Sequence, residues 1–204
     1  FKLGALDFES SEVKFVLNEK DVPIEVYFKP VLDTNHMIEE FMLLANKTIA
    51  TLVGKPKNKS RSRPFVYRIH DVPLSEKISS LGRLVKKLGY NLDSSSKTKL
   101  VYSLNNLHKH IKGSKEQDLL EKLIIRSMAK AVYTTNNIGH YGLGFGYYSH
   151  FTSPIRRYPD LIVHRLLQQY IGDGRVVDTD GLEMVCKHCS EMEKRAAMAE
   201  RDSI

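Results

Sequence analysis

Three observations predict an α+β fold, mostly helical with a small antiparallel sheet. Residues up to Pro30 carry alternating apolar and polar side chains on either side of a turn sequence, Asn18-Glu19-Lys20-Asp21. Six later segments read as helices. The 204 residues, 42% hydrophobic and 27% charged, suffice for one sizeable core or two small ones.

Taken in order, Phe8, Val13, Phe15, Val16 and Leu17 form the first strand. Ile24, Val26 and Phe28 alternate with Glu25, Tyr27 and Lys29 in the second, closing a hairpin before Pro30. A helix runs from about Asn35 to Val53, capped by Thr34 or Asn35 and ended by Gly54. Ile38, Met42, Ala45, Ile49 and Leu52 recur at helical spacing, while Phe41, Leu43 and Leu44 fill the other faces. Such a helix is expected to be buried nearly all round, which singles out Glu39, Glu40 and Asn46. Lys55 to Arg63 is a basic loop, a solvated linker or a nucleic-acid contact. Phe65 to Ile69 is a short strand ending at His70-Asp71. Helices follow at about Ser75–Leu88, Lys97–Lys112 and Lys115–Tyr133. Asn136 to Phe151 is extended and rich in glycine and aromatic residues. Two last helices cover about Pro154–Ile171 and Asp180–Arg201.

Composition excludes intrinsic disorder and collagen-like or linker-like chains. The longest apolar runs are about five residues, as at Phe41 to Ala45, so no segment spans a bilayer and no membrane partner is expected. Lys and Arg total 31 against 24 acids, a net charge of +7 that suits an anionic partner, nucleic acid first and a membrane surface second. The two cysteines, Cys186 and Cys189, stand three apart in a helical pattern with no second ligand pair, so half-buried thiols are a better reading than zinc. A reducing, cytoplasmic setting fits them better than a disulfide-stapled fold. The chain opens at Phe1 directly into a strand-like pattern, and is expected to be a piece of a longer protein.

The richest stretch is Gly139 to Arg165, GHYGLGFGYYSHFTSPIRRYPDLIVHR. Ser153 is a good helix cap and Pro154 suits a first helical position. Free amides and the helix dipole would then make an anion site, with Arg156 and Arg157 in the same turn. The arginine forks suit phosphate oxygens. Arg156, Asp160 and His164 lie four apart on one stripe, where Asp160 is expected to hold Arg156. The spacing of Gly142, Gly144 and Gly146 is not a dinucleotide fingerprint. Tyr141, Tyr147, Tyr148 and Phe151 suit either base stacking or core packing. Glu39, in the first turn of a buried helix, is either a ligand-hydroxyl acceptor or a structural ion pair or cap.

HFTSPIRRYPDLIVHR (His150 to Arg165) resembles the signature of the ribonuclease II / ribonuclease R family, the RNB catalytic domain. LDFESSEVKF, IEEFMLLAN, YRIHDVP, GHYGLGF and CKHCSEMEKRAAMAERD resemble it in the same order, closest to the ribonuclease R branch. The resemblance implies a processive 3′-to-5′ exoribonuclease that hydrolyses single-stranded RNA to nucleoside monophosphates, with Mg2+, as a cytoplasmic monomer in its full-length form. It assigns Arg156 to the phosphate beside the scissile bond, as the catalytic arginine. It makes Glu39 a holder of the 3′-terminal nucleotide, and Phe8 a stacking partner of the terminal base. Arg157 joins Phe8, Glu39 and Arg156 as a substrate-binding residue.

The family's aspartate cluster and active-site tyrosine have no counterpart in residues 1–204. The whole chain, 1–204, therefore reads as the C-terminal part of the catalytic domain, without its N-terminal half or flanking OB-type RNA-binding domains. No metal ligands are expected here, and the isolated chain is expected to be inactive. Two rivals are a non-catalytic RNA-binding module derived from the same domain and a helical DNA-binding regulator; the latter would prefer duplex.

Overall fold

A computed structural model describes residue 5 and residues 12–55, 63–172 and 177–203. Phe8 and most of the basic loop, residues 56–62, lie outside the described residues.

Strands β1 (Glu12–Leu17) and β2 (Pro23–Lys29) form the expected antiparallel hairpin, in register from Glu12 opposite Lys29 to Val16 opposite Glu25. The turn is built by Asn18. Its side-chain oxygen accepts from the amides of Lys20 (2.9 Å) and Val22 (3.0 Å). Asp21 takes the left-handed conformation that this short connection needs (φ 58°).

Helix α1 (Asp33–Gly54) starts where Asn35 turns back to accept from the Leu32 amide, 2.9 Å. It is not buried all round as its apolar content suggested. Met37, Ile38, Phe41 and Leu44 are all more than half exposed, and only the later turns, through Asn46, Ala50 and Gly54, enter a core. Helical periodicity reports which residues share a face; it does not report whether a neighbour covers that face.

Strand β3 (Tyr67–Ile69) is followed by α2 (Ser75–Lys87), α3 (Lys97–Ile111) and α4 (Gln117–Ser127). The helix expected to continue to Tyr133 stops at Ser127. Met128 is extended, and Val132–Thr134 form β4, antiparallel to β3 with Arg68 opposite Tyr133. Val132, Tyr133 and Thr134 are good strand formers, and their partner lies more than sixty residues earlier, beyond any local pattern. Helices α5 (Tyr158–Ile171) and α6 (Thr179–Asp202) complete the chain. A single 3-10 turn, Tyr141–Leu143, interrupts the glycine-rich stretch.

Two cores result. In one, Ala50 of α1, Phe65 to Tyr67, Tyr133 of β4, Val163 and Leu166 of α5, and Leu182, Cys186 and Cys189 of α6 pack together. The other belongs to α2, α3 and α4, with Val85, Leu104, Ile111, Leu120 and Ile124 at its centre. The cysteines are free and buried; desolvation pushes the Cys186 thiol up to about 12, so it stays protonated and unreactive.

Two glycines test the packing in opposite directions. A β-carbon on Gly54 would meet the Tyr67 hydroxyl and the Tyr147 ring within 2.8 Å, whereas on Gly82 of α2 its nearest neighbour is Leu92 at 3.9 Å. Gly82→Ala is expected to raise stability by roughly 0.5–1 kcal/mol through helix propensity. Gly54→Ala is expected to lower it by about 1–2 kcal/mol, because crowding outweighs the same propensity gain. Urea unfolding of the two variants checks both signs.

Candidate functional site

The segment leading into α5 has almost no regular structure, so side chains must satisfy its backbone polar groups. The Arg68 amide donates to the Tyr148 carbonyl at 3.0 Å, continuing past β3. The buried Ser149 hydroxyl donates to the Val66 carbonyl at 2.6 Å. Asn46, buried on α1, accepts from the Phe151 amide (2.9 Å) and donates to the Tyr148 hydroxyl (3.1 Å). His164 of α5 donates to the Phe151 carbonyl at 2.9 Å and stacks on its ring at 4.2 Å. Asp160, also on α5, accepts from the Ser153 amide at 2.8 Å. Residues 148–153 are thereby tied to α1, to the segment entering β3 and to α5.

These ties create a cavity of about 280 Å³ between α1 and the arginine segment, lined by Glu39, Met42, Leu43, Asn46, Tyr148 and Arg157. Two residues singled out in the sequence, Glu39 and Arg157, share it. Glu39 is not the buried carboxylate that the sequence suggested. It lies in the second turn of α1, 64% exposed, with His36 at 3.6 Å, so it is free to accept from a ligand.

The arginines also differ from expectation. Helix α5 begins at Tyr158, with Pro159 in its first turn; Pro154 instead occupies a tight turn before it. The amides of Arg156 and Arg157 both donate to the Ser153 carbonyl, at 3.3 and 3.0 Å, so Ser153 caps no helix and those amides are not free for an anion. Asp160 is fully buried and binds Arg157 at 2.8 Å, not Arg156. The four-residue spacing failed because Arg156 lies before the helix. The Arg156 side chain is exposed and has no hydrogen bond or ion pair among the described residues.

Beneath the cavity lies a tier that periodicity could not reveal. Arg68 grips Glu193 of α6 through two bonds, 2.6 and 2.9 Å, and lies over the Tyr133 ring. Tyr133 shares a 2.8 Å hydrogen bond with His150, whose ring packs edge-on to Tyr148, as does that of His140. His70 donates to the Ala129 carbonyl (2.8 Å) while its other nitrogen accepts from the Gly142 amide (3.0 Å), an arrangement that only a neutral ring satisfies. Burial depresses His140 and His150 to about 3, aided by His70 and Arg68 at His140 and by Arg157 and Arg68 at His150. Tyr133 is pushed up to about 12 by burial. Near neutral pH this tier neither gives nor takes protons. It shapes the site.

Chemically, the cavity offers an acceptor (Glu39), a phenol and a carboxamide already bonded to each other, and a fixed guanidinium. It suits a ligand carrying hydroxyls and an anionic group. It does not fit a resident metal: among the described residues no three His, Cys, Asp or Glu side chains converge, and Asp160 is committed to Arg157. Among the described residues no helix is long and apolar enough to cross a membrane.

Comparison with known proteins adds a lineage. Residues 1–173 match the RNB domain. The chain is 38% identical over 205 residues to ribonuclease R 1 of Lactococcus lactis, covering 98% of this chain and 24% of that one. It is 37% identical over 211 residues to ribonuclease R of Thermotoga maritima, covering all of this chain and 29% of that one. The structure of Mycoplasma genitalium RNase R in complex with ribose-methylated single-stranded RNA superimposes with a TM-score of 0.83 at 30% identity, over 98% of this chain and 32% of that one. The chain thus spans about a quarter to a third of the length of these relatives.

The buried histidines give the site a pH signature. Their folded pKa values lie below the unfolded value of about 6.5, so the unfolded chain binds more protons between about pH 6.5 and 3. Their contribution is complete above about pH 6.5 and is lost as pH falls, by about 1.4 kcal/mol per pH unit for each ring. Urea unfolding at about pH 7 and about pH 5 is expected to show this loss, with a shallower slope in His150→Gln; equal slopes would remove His150 from the account.

Proposed function

We propose, since this chain belongs to the RNB domain family, that it is the RNA-gripping part of a processive 3′-to-5′ exoribonuclease that hydrolyses single-stranded RNA to nucleoside monophosphates in the cytoplasm. The observation that carries this reading is that Glu39 and Arg157 line one cavity. Glu39 accepts from hydroxyls of the terminal nucleotide, and Arg157 donates to a phosphate. Arg156, exposed and unpaired among the described residues, adds charge to the phosphate at the scissile bond. Phe8 stacks on the terminal base. The resemblance implies Mg2+, which when bound in a longer chain would supply water activation and charge neutralisation. Its ligands are not assigned to the residues described.

Charge distribution supports the RNA partner. Residues 75–130, spanning α2 to α4, hold 12 Lys or Arg and five Asp or Glu, a net of +7; the remaining residues hold 19 of each sign. The basic surface is concentrated on one helical unit, the footprint of a polyanion contact rather than of uniform solubility. A second reading is a non-catalytic RNA-binding module of the same lineage, and an intact aspartate cluster in the longer chain would decide for the enzyme.

The isolated chain is expected to bind single-stranded RNA weakly, with an affinity that falls steeply with salt, and to release no monophosphates. Incubation with end-labelled RNA and Mg2+ or Mn2+ tests the second point. Stepwise release abolished by Arg156→Ala would mean that a metal site lies within this chain. A preference for duplex DNA would favour the regulator instead. In a longer chain that turns over RNA, Arg156→Ala is expected to cost roughly 3–4 kcal/mol in turnover and far less in affinity, and Arg156→Lys should not rescue it. A longer chain that binds RNA without turnover is the non-catalytic module.

A further inference from the structure

We propose that Asp160 is a positioning residue that fixes Arg157, rather than Arg156, as the preorganised phosphate-binding arginine of the cavity; this rests on the RNA-binding reading above. The two arginines are neighbours in sequence and opposites in structure. Arg157 lines the cavity, is 21% exposed, and gives one terminal nitrogen to Asp160 at 2.8 Å. Arg156 lines no part of it and has no partner among the described residues. Immobilising a free arginine on a ligand costs rotamer freedom, on the order of tenfold in affinity; Arg157 is already ordered.

Asp160 is placed to do this as well as to anchor the Ser153 amide. It is fully buried, and one carboxylate oxygen takes both the Arg157 guanidinium and the Ser153 amide, while the other oxygen has no hydrogen-bond partner. A buried ion pair with an unsatisfied oxygen is a poor way to stabilise a fold, since desolvation offsets the attraction. What the pair does achieve is geometric. Through the Ser153 amide and the Arg157 side chain, Asp160 holds the tight turn 154–156 at both ends; with one terminal nitrogen on Asp160 and Nε buried, the other terminal nitrogen of Arg157 is left for an acceptor in the cavity that Glu39 also lines. Arg156, on that turn, is then free to follow the moving phosphate while Arg157 holds the neighbouring one.

The test combines side-chain mobility with binding of a short single-stranded RNA pentanucleotide by this chain. In 15N relaxation of the arginine Nε–H groups, Arg157 is expected to be as rigid as the backbone and Arg156 mobile. Asp160→Asn, which keeps an acceptor for the Ser153 amide but removes the charge, is expected to release Arg157 to the mobility of Arg156. Pentanucleotide affinity is expected to fall about tenfold in Arg157→Ala. Asp160→Asn should approach the same loss, and the double variant should be no weaker than Arg157→Ala alone. Arg157 mobile in the unsubstituted chain, or fully additive losses in the double variant, would overturn the proposal. If Asp160→Asn does not fold, Arg157→Lys decides. It keeps the charge without the fork and should lose nearly as much affinity as Arg157→Ala, and full retention would count against a positioned fork. If the unsubstituted chain binds no RNA, the functional reading fails, while the mobility comparison still decides whether Asp160 fixes Arg157.

Discussion

The site depends on one buried carboxamide. Asn46 is the only polar side chain by which α1 reaches the segment 148–151 in the hydrogen bonds described, and it uses both ends of its amide to do so. An amide buried without partners would cost on the order of 1–3 kcal/mol. Here the donor meets the Tyr148 hydroxyl and the acceptor meets the Phe151 amide, so the burial that anchors α1 also fixes the wall of the cavity. Glu39 stands about two turns earlier on the same helix, and its distance from Arg157 follows from where Asn46 is tied. The helix can therefore leave its first half exposed without losing the geometry of the site.

The second anchor lies on the opposite side, where Asp160 and His164 receive the same segment from α5. Between the anchors, the Arg68–Tyr133–His150–Tyr148 tier fills the space with polar rings that are bonded and neutral. Burial, with nearby positive charge second, keeps His140 and His150 unprotonated, and Arg157 has its ion pair with Asp160. A cavity built this way is rigid and electropositive on one wall, with an exposed carboxylate on the other. That polarity suits the end of a nucleic-acid strand, with phosphate towards one side and ribose hydroxyls towards the other.

Much of this was legible in the sequence. The hairpin followed from alternation and from Asn18, and the bounds of α1, α2 and α3 came within two residues of those observed. Glu39 and Arg157 were both singled out, from their residue types and their likeness to one lineage. Four features were not legible, for distinct reasons. Strand β4 was absorbed into a helix because its partner β3 is remote in sequence. The start of α5 was misplaced because Pro154 and Pro159 both suit a helix start, and only the tight turn at Ser153 separates them. Asp160 was paired with the wrong arginine because four-residue spacing has meaning only inside a helix. The exposure of Ile38 and Phe41 is a matter of what packs against them, which periodicity does not encode.

The central claim is that RNA is held where α1 meets the arginine segment. Its most direct measurement is a backbone-amide shift map of this chain on titration with a short single-stranded RNA at low salt. The account predicts that the largest changes fall on residues 39–46 and 148–157, with smaller, salt-sensitive ones on α2 to α4. Changes confined to the basic helices, with the Phe151 and Ser153 amides unmoved at saturation, would contradict it.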